Sequence, residues 1–212
     1  MDGVLTDTER TGGRMLRRAC RMQGFDMMDD QWQPLIGTSF EKTCDGIRQF
    51  HPAFDHRRFL EDWQRETFRY VEHNGVPIKP GARELLEYLR QEKIPAALCS
   101  NNRRVVIDHY LDLLNWRGYF QRVFSGEDVL RRKPDPETYL KACSEMKVSP
   151  SSCIGVEDSP SGLLSLNKAG IYSVYIPDLI RIPRDIQGLI GRRCENLHDF
   201  LAFLRTCRIE KG

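Results

Sequence analysis

Polar residues that could do acid–base, anion-binding and metal chemistry recur directly after short apolar segments of the chain. Asp2 comes at the start, Ser100-Asn101 and Glu157-Asp158 each follow an apolar run, and Lys133 precedes a proline. Adjacent carboxylates supply the oxygen ligands that hard cations prefer, and they repel each other when no cation is present. A hydroxyl with free backbone N–H groups at a helix start favours an anion. These residue types together predict chemistry on an anion beside a divalent cation.

Each of these residues also has a purely structural explanation. An Asp before a Gly, as at Asp2, is common in tight turns. Ser100 suits a helix N-cap, and Lys133 follows two arginines in a basic run that solvent could cover. Glu157-Asp158 could be a solvated acidic turn. The order and context of the motifs therefore decide between the two interpretations.

The chain from Pro80 onward alternates between strand-like and helix-like segments, and this pattern predicts where the polar residues lie. Short apolar runs bounded by polar turns are typical of buried parallel strands. Strands that alternate with helices predict an α/β fold, with a parallel sheet and helices on both faces. Ligands of such sheets bind beyond the carboxyl ends of the strands, where the polar residues fall. The predicted strands are 94–99, 122–124, 152–156 and 171–176.

The region from Arg10 to Val76 differs, because its apolar residues recur at helical spacing. One such face includes Leu16 and Ala19, and a second includes Phe59 and Trp63. No part of this region alternates like a strand for long. We therefore expect a helical segment before the alternating part of the chain.

Composition excludes several classes of function. With 32 Lys and Arg against 30 Asp and Glu, the net charge is +2, which favours a mixed solvated surface over a nucleic-acid-binding face. Seven scattered cysteines without a Cys-x-x-Cys pair predict reduced thiols in a cytoplasmic protein. Neither they nor the five histidines have the spacing of a zinc site. No segment approaches the roughly 20 apolar residues of a membrane span, so we expect no membrane partner.

Four motifs occur in a fixed order. They are 2–8 (Asp-Gly-Val-Leu-x-Asp-Thr), 99–101 (Cys-Ser-Asn), 133–136 (Lys-Pro-Asp-Pro) and 155–162 (Gly-Val-Glu-Asp-Ser-Pro-Ser-Gly). The chain thereby resembles the haloacid dehalogenase-like superfamily, in its β-phosphoglucomutase-like and phosphoglycolate-phosphatase-like branch. The resemblance extends from Met1 to about Pro177. It implies a Rossmann-like core with an inserted helical cap.

The resemblance also implies roles for single residues. Asp2 matches the general acid and base of the family. Ser100, Asn101 and Lys133 match residues that hold the phosphoryl group. Glu157 and Asp158 match the acidic pair that binds Mg²⁺, and the main-chain carbonyl at Asp2 is a further ligand.

In the family, the cap closes over the site and selects the substrate. The resemblance implies a core formed by 1–9 and 79–212, and a cap formed by 10–78. Within the cap, Leu35–Ser39 resembles a specificity loop. The mutase branch has an Arg shortly after this loop's Gly and a His after the Asp-Thr motif. Here those positions fall at Phe40 and near Gly12, which favours hydrolysis over phosphosugar transfer.

The family's nucleophile is the first Asp of an Asp-x-Asp-Gly motif, and it would fall one position before Met1, at the end of the first core strand. Three explanations stay open: a start assigned to an internal Met, a truncated form, or a chain adapted to binding without catalysis. The function expected of the intact form is Mg²⁺-dependent hydrolysis of a small phosphorylated metabolite through an aspartyl-phosphate. The alternatives are a phosphosugar mutase and a non-catalytic phosphate-ligand-binding protein. We expect a monomer or a weak dimer.

Overall fold

The computed structural model describes residues 1–35 and 40–207, apart from the side chains of Pro34, Phe40 and Glu41. Its contacts divide the chain into two compact units: Asp7–Pro77 forms one, and Met1–Thr6 with Ile78–Gly212 forms the other. No helix in the described part of the chain has both the length and the apolar character that a membrane crossing requires. The predicted specificity loop lies largely outside the described residues, as does the Phe40 side chain, so both interpretations stay predictions.

The unit Asp7–Pro77 is helical. Its helices are α1 (Thr8–Met22), α2 (Asp29–Trp32), α3 (Phe40–Phe50) and α4 (His56–Asn74). The apolar faces predicted for α1 and α4 meet in one core, where Leu16, Ala19 and Phe59 are at most 1% exposed. Helix α4 begins after Asp55, whose carboxylate accepts hydrogen bonds from two backbone N–H groups of its first turn. The role of this unit as a cap stays a prediction.

The other unit alternates strands and helices. Its strands are β1 (Ala97–Cys99), β2 (Arg122–Phe124), β3 (Ile154–Glu157), β4 (Tyr172–Tyr175) and β5 (Arg192–Arg193). Its helices are α5 (Ala82–Gln91), α6 (Arg104–Leu114), α7 (Glu137–Met146), α8 (Pro160–Ala169) and α9 (Leu197–Thr206). The α/β class expected from the sequence is confirmed.

The strands of the described residues pair in parallel, in two groups. Strand β1 pairs with β2, and β4 lies between β3 and β5. Asp2 makes an isolated bridge to Thr6, which in turn bridges to Ile78. The carboxyl ends of β1 and β3 carry the polar residues that the sequence singled out.

Both faces of β1 are covered by helices. Leu98 of β1 packs with α5, α6 and α9, whereas the next residue, Cys99, packs with α7 and α8. This alternation is the two-residue period of a strand. Because both faces of β1 are covered, its sequence Ala-Leu-Cys is apolar throughout, as is typical of a buried parallel strand.

The ends of α8 follow the signals in the sequence. Ser159 accepts a hydrogen bond from the backbone N–H of Gly162 at 3.1 Å, and Pro160 is the first helical residue. Gly170 ends the helix in the left-handed region, with φ of 73°. These local devices fix where α8 starts, directly beyond the acidic pair at the end of β3.

Candidate active site

The Asp2-Gly3 turn lies against the ends of both β1 and β3. Asp2 Oδ2 accepts a hydrogen bond from Asn102 Nδ2, three residues beyond β1, at 2.7 Å. Gly3 has φ of 72°, and a Cβ at this position would lie 2.0 Å from Asp158 Oδ2. Only glycine can adopt this positive φ without strain and also leave room for the Asp158 carboxylate. The turn brings Asp2 and Asp158 together.

The segment after β1 orders the loop that carries the lysine. Asn101 Oδ1 accepts from the Lys133 backbone N–H at 3.2 Å, and Asn101 Nδ2 donates to the Lys133 carbonyl at 3.4 Å. Ser100 is buried, and its Oγ accepts from the Asn102 backbone N–H at 3.2 Å. Asn101 thus positions Lys133 through its main chain. Contacts of Ser100 and Asn101 with a phosphoryl group stay predictions.

Lys133 is a buried cation at the centre of the site. Its Nζ donates to Glu157 Oε1 at 2.5 Å and to the Cys99 carbonyl at 3.0 Å. The same Nζ lies 4.7 Å from the centroid of the Tyr139 ring. The side chains of Lys133 and Glu157 are each 7% exposed. Burial and pairing of this kind exclude the surface-lysine explanation.

Glu157 faces Lys133 and has several further contacts. The Tyr139 hydroxyl donates a hydrogen bond to Oε1, and Ser159 Oγ donates to Oε2 at 3.3 Å. Burial acts to raise the pKa of the Glu157 carboxyl. The charge and hydrogen bond of Lys133, together with the Tyr139 hydrogen bond, outweigh burial and lower this pKa below its ordinary value. Glu157 is therefore a paired carboxylate, and its role as a metal ligand stays a prediction.

The pKa of Asp158 is shifted in the opposite direction from that of Glu157. Burial, the charge of Glu157 and, more weakly, the charge of Asp178 raise its pKa to about 7. Asp178 follows β4, and its buried side chain accepts a hydrogen bond from Lys79 Nζ at 2.6 Å. A carboxyl group whose ionised form is disfavoured by neighbouring negative charge is one that a divalent cation would stabilise.

The chemistry of Asp158 therefore fits a magnesium ligand, and that of Glu157 fits a lysine partner. Among the described residues, no group of three or more acidic, His or Cys side chains has the arrangement of a metal site. Asp158 and the Asp2 turn are the part of the predicted ligand set that suits Mg²⁺. Binding of the ion stays a proposal.

The structure brings six residues singled out in the sequence close to one another: Asn102 joins Asp2 to Ser100, Lys133 contacts both Asn101 and Glu157, and Asp158 lies beside Gly3. The six residues are Asp2, Ser100, Asn101, Lys133, Glu157 and Asp158. Sequence reasoning missed Asn102, Tyr139 and the Lys79–Asp178 pair. Asp178 follows the end of β4 as Glu157 ends β3, so the strand-end rule could have found it. Tyr139 is on a helix, and nothing in its local sequence indicates the contact with Glu157.

Comparison with known proteins identifies the family. A sequence profile described as haloacid dehalogenase-like hydrolase matches residues 1–176. The chain is 38% identical to validoxylamine A 7'-phosphate phosphatase of Streptomyces hygroscopicus subsp. limoneus, over 82% of this chain and 81% of that protein. It is 29% identical to a phosphorylated carbohydrates phosphatase of Thermotoga maritima, with the same shares covered.

Solved structures show the same fold at lower identity. A Thermotoga maritima protein provisionally described as a beta-phosphoglucomutase superposes with a TM-score of 0.82 at 23% identity, over 98% of this chain and 97% of that chain. CbbY of Rhodobacter sphaeroides, solved with phosphate, gives 0.79 at 19% identity, over 93% and 92%. The family match and the relatives named as phosphatases support a phosphoric monoester hydrolase. The chain belongs to the haloacid dehalogenase-like hydrolase family.

Proposed function

We propose that this chain is a magnesium-dependent phosphatase that hydrolyses a small phosphorylated metabolite through an aspartyl-phosphate. The observation that carries the proposal is the convergence of the Asp2 turn, Asp158 and the buried Lys133–Glu157 pair. The relatives named for phosphorylated carbohydrates and for validoxylamine A 7'-phosphate support a small phosphorylated substrate.

Lys133 is the proposed clamp on the phosphoryl oxygens. A lysine ammonium has three N–H donors, and Glu157 Oε1 and the Cys99 carbonyl take two of them. The third can donate to a phosphoryl oxygen. Because Glu157 and the Tyr139 ring hold the ammonium from two sides, it is preorganised for a charged group. Ser100 and Asn101 are the proposed neighbouring donors.

Asp2 is the proposed general acid and base. The Asn102 amide fixes the direction of its carboxyl group by donating to Oδ2. In this role, Asp2 protonates the leaving oxygen and then takes a proton from the hydrolytic water. The family resemblance gives the attack on phosphorus to a separate Asp, and the residues proposed in this chain supply the acid–base, anion-binding and metal-binding roles.

Asp158, the main-chain carbonyl of Asp2, and Glu157 through water are the proposed ligands of Mg²⁺. When bound, the ion would offset negative charge on the phosphoryl oxygens. Segment 10–78 is the proposed cap, which would exclude water from the site and choose the substrate. The cysteines of the described chain are all free thiols, which supports a reducing cytoplasmic setting.

The decisive assay measures phosphate release by the purified protein, with and without Mg²⁺. Asp158→Ala should abolish Mg²⁺-dependent turnover of p-nitrophenyl phosphate, and Asp2→Asn should lower it by about 10²–10⁴-fold. The control is Asp26→Asn, an exposed carboxylate in the helical unit. Unchanged turnover in Asp158→Ala would refute the metal assignment.

Product analysis with the same protein distinguishes the phosphatase from the mutase and from a non-catalytic binding protein. With a hexose 1-phosphate, a phosphatase releases free phosphate, whereas a mutase yields the 6-phosphate. A non-catalytic binding protein would bind phosphate ligands without turning over any of the substrates.

A further inference from the structure

Two cysteines of the core unit lie in van der Waals contact within one apolar cluster. Cys143 of α7 and Cys153, directly before β3, have their Sγ atoms 3.9 Å apart. Both belong to a cluster that includes Leu166 and Ile171, and a third cysteine, Cys99, packs against the same cluster. The function proposed above uses none of these thiols.

The two residues are suited to form a bond with each other. The S–S bond of a disulfide is about 2.05 Å long, so the sulfurs would have to approach by roughly 2 Å from 3.9 Å. The connecting segment contains a 3-10 turn, Pro150–Ser152, and Cys153 Sγ donates to the Ser149 carbonyl at 3.3 Å. For the sulfurs to meet, the Cys153 side chain would have to rotate away from that single weak bond.

We propose that Cys143 and Cys153 form a reversible thiol–disulfide site that ties α7 to β3 when the protein meets a peroxide. One thiol is oxidised to a sulfenic acid, which consumes one peroxide and releases water. The second thiol then displaces that hydroxyl, so that the S–S bond forms and a second water leaves. A small thiol reductant reverses the reaction by exchange.

The environments of the two sulfurs set their order of reaction. Cys153 is half-buried and reaches solvent, whereas Cys143 is 6% exposed. Burial, with the Cys153 sulfur beside it, raises the pKa of the Cys143 thiol to about 11. Cys153 is therefore the thiol that the oxidant meets, and Cys143 is the slow resolving thiol.

A disulfide between Cys143 and Cys153 would be linked to the active site by two short segments of the chain, one in α7 and one in β3. Tyr139, which donates to Glu157, lies one helical turn before Cys143 on the same face of α7. Strand β3 runs from Cys153 directly to Glu157 and Asp158. Pulling α7 toward the start of β3 would shift the hydroxyl of Tyr139 against the Glu157 carboxylate. This consequence for turnover depends on the proposed function, whereas formation of the bond does not.

Peptide mapping tests the bond itself. Trypsin cleaves after Lys141, Lys147 and Lys168, so Cys143 and Cys153 fall in separate peptides, 142–147 and 148–168. After treatment with hydrogen peroxide and blocking of free thiols, the two peptides should remain joined, and dithiothreitol should separate them. Cys99 lies in a third peptide, 94–103. Linkage of that peptide to either of the others, or no linkage at all, overturns the proposal.

Stability and turnover then test its consequence. Oxidation should raise the melting temperature by about 3–10 °C, because the cross-link constrains the unfolded chain. It should also lower phosphate release at least about tenfold, since small displacements of positioned groups are costly. Cys153→Ser should remove both responses, and Cys143→Ala serves as a second variant. The control is Cys207→Ser, a half-buried thiol of the tail that should leave both responses intact.

The outcomes separate the two proposals. A linked pair with a raised melting temperature in a protein that hydrolyses no phosphate ester would support the thiol site and refute the phosphatase. Oxidative loss of activity that persists in Cys153→Ser would show that another group is oxidised, and it would refute the link to the active site.

Discussion

Gly162 is the position where one added carbon atom should disrupt the site most directly. It lies in the first turn of α8, and a Cβ built there would be 2.0 Å from both Cδ and Oε2 of Glu157. Glu157 cannot yield cheaply, because Lys133, Tyr139 and Ser159 all hold its carboxylate. Gly162→Ala therefore forces the carboxylate to give up these partners.

The expected cost follows from the groups involved. Separating a buried ion pair costs about 3–5 kcal/mol, while replacing Gly by Ala within a helix gains up to about 1 kcal/mol. The net loss is roughly 2–4 kcal/mol, which corresponds to a fall in melting temperature of about 4–16 °C for a protein of this size. Turnover should fall as well, because Lys133 loses the carboxylate that positions it.

Thermal unfolding followed by circular dichroism measures this effect, with Gly118→Ala as the matched control. A Cβ at Gly118 meets nothing within 4 Å, so this variant should stay within about 1 kcal/mol of the parent. If Gly162→Ala unfolds at the same temperature as Gly118→Ala, Glu157 is not held as described, and the reasoning is refuted.

Three further predictions concern the buried charges. Tyr139→Phe should lower the free energy of unfolding by about 1.5–3 kcal/mol, measured by urea unfolding. The control Tyr172→Phe removes only an exposed hydrogen bond to the Gly191 carbonyl and should cost less than about 1 kcal/mol. Equal losses in the two variants would contradict this prediction. Lys133→Met should cost about 3–5 kcal/mol, and adding Glu157→Gln should recover part of it; no recovery would show that the charge left unpaired is not the cause. Because the folded protein raises the pKa of Asp158 to about 7, it binds more protons than the unfolded chain between about pH 4 and about pH 7. Its stability in EDTA should therefore fall as the pH rises from about 4 to about 7 and level off above, and Asp158→Asn should flatten this slope in thermal melts.

Local signals in the sequence were sufficient for the α/β class and for several element ends. Ser159, Pro160 and Gly170 specify α8 through a side-chain cap, a preset φ and a left-handed end, and each of these acts within a few residues. The first predicted strand, 94–99, is shorter in the structure, where β1 is Ala97–Cys99. Strand ends depend on pairing with a distant strand, and no local pattern reports that pairing.

The candidate site shows the same difference between what local sequence signals and what long-range contacts determine. The sequence by itself determined which residue types stand at the ends of the strands, because motif order and strand period are properties of the chain alone. Only the tertiary structure decided their partners: Lys133 pairs with Glu157, Asn101 holds the Lys133 backbone, and Tyr139 completes the contact. Such contacts join residues 18 or more positions apart. Packing of β1, β3 and α7 brings these residues together. Burial acts to raise the pKa of both carboxyl groups, and pairing with Lys133 and Tyr139 lowers that of Glu157 alone.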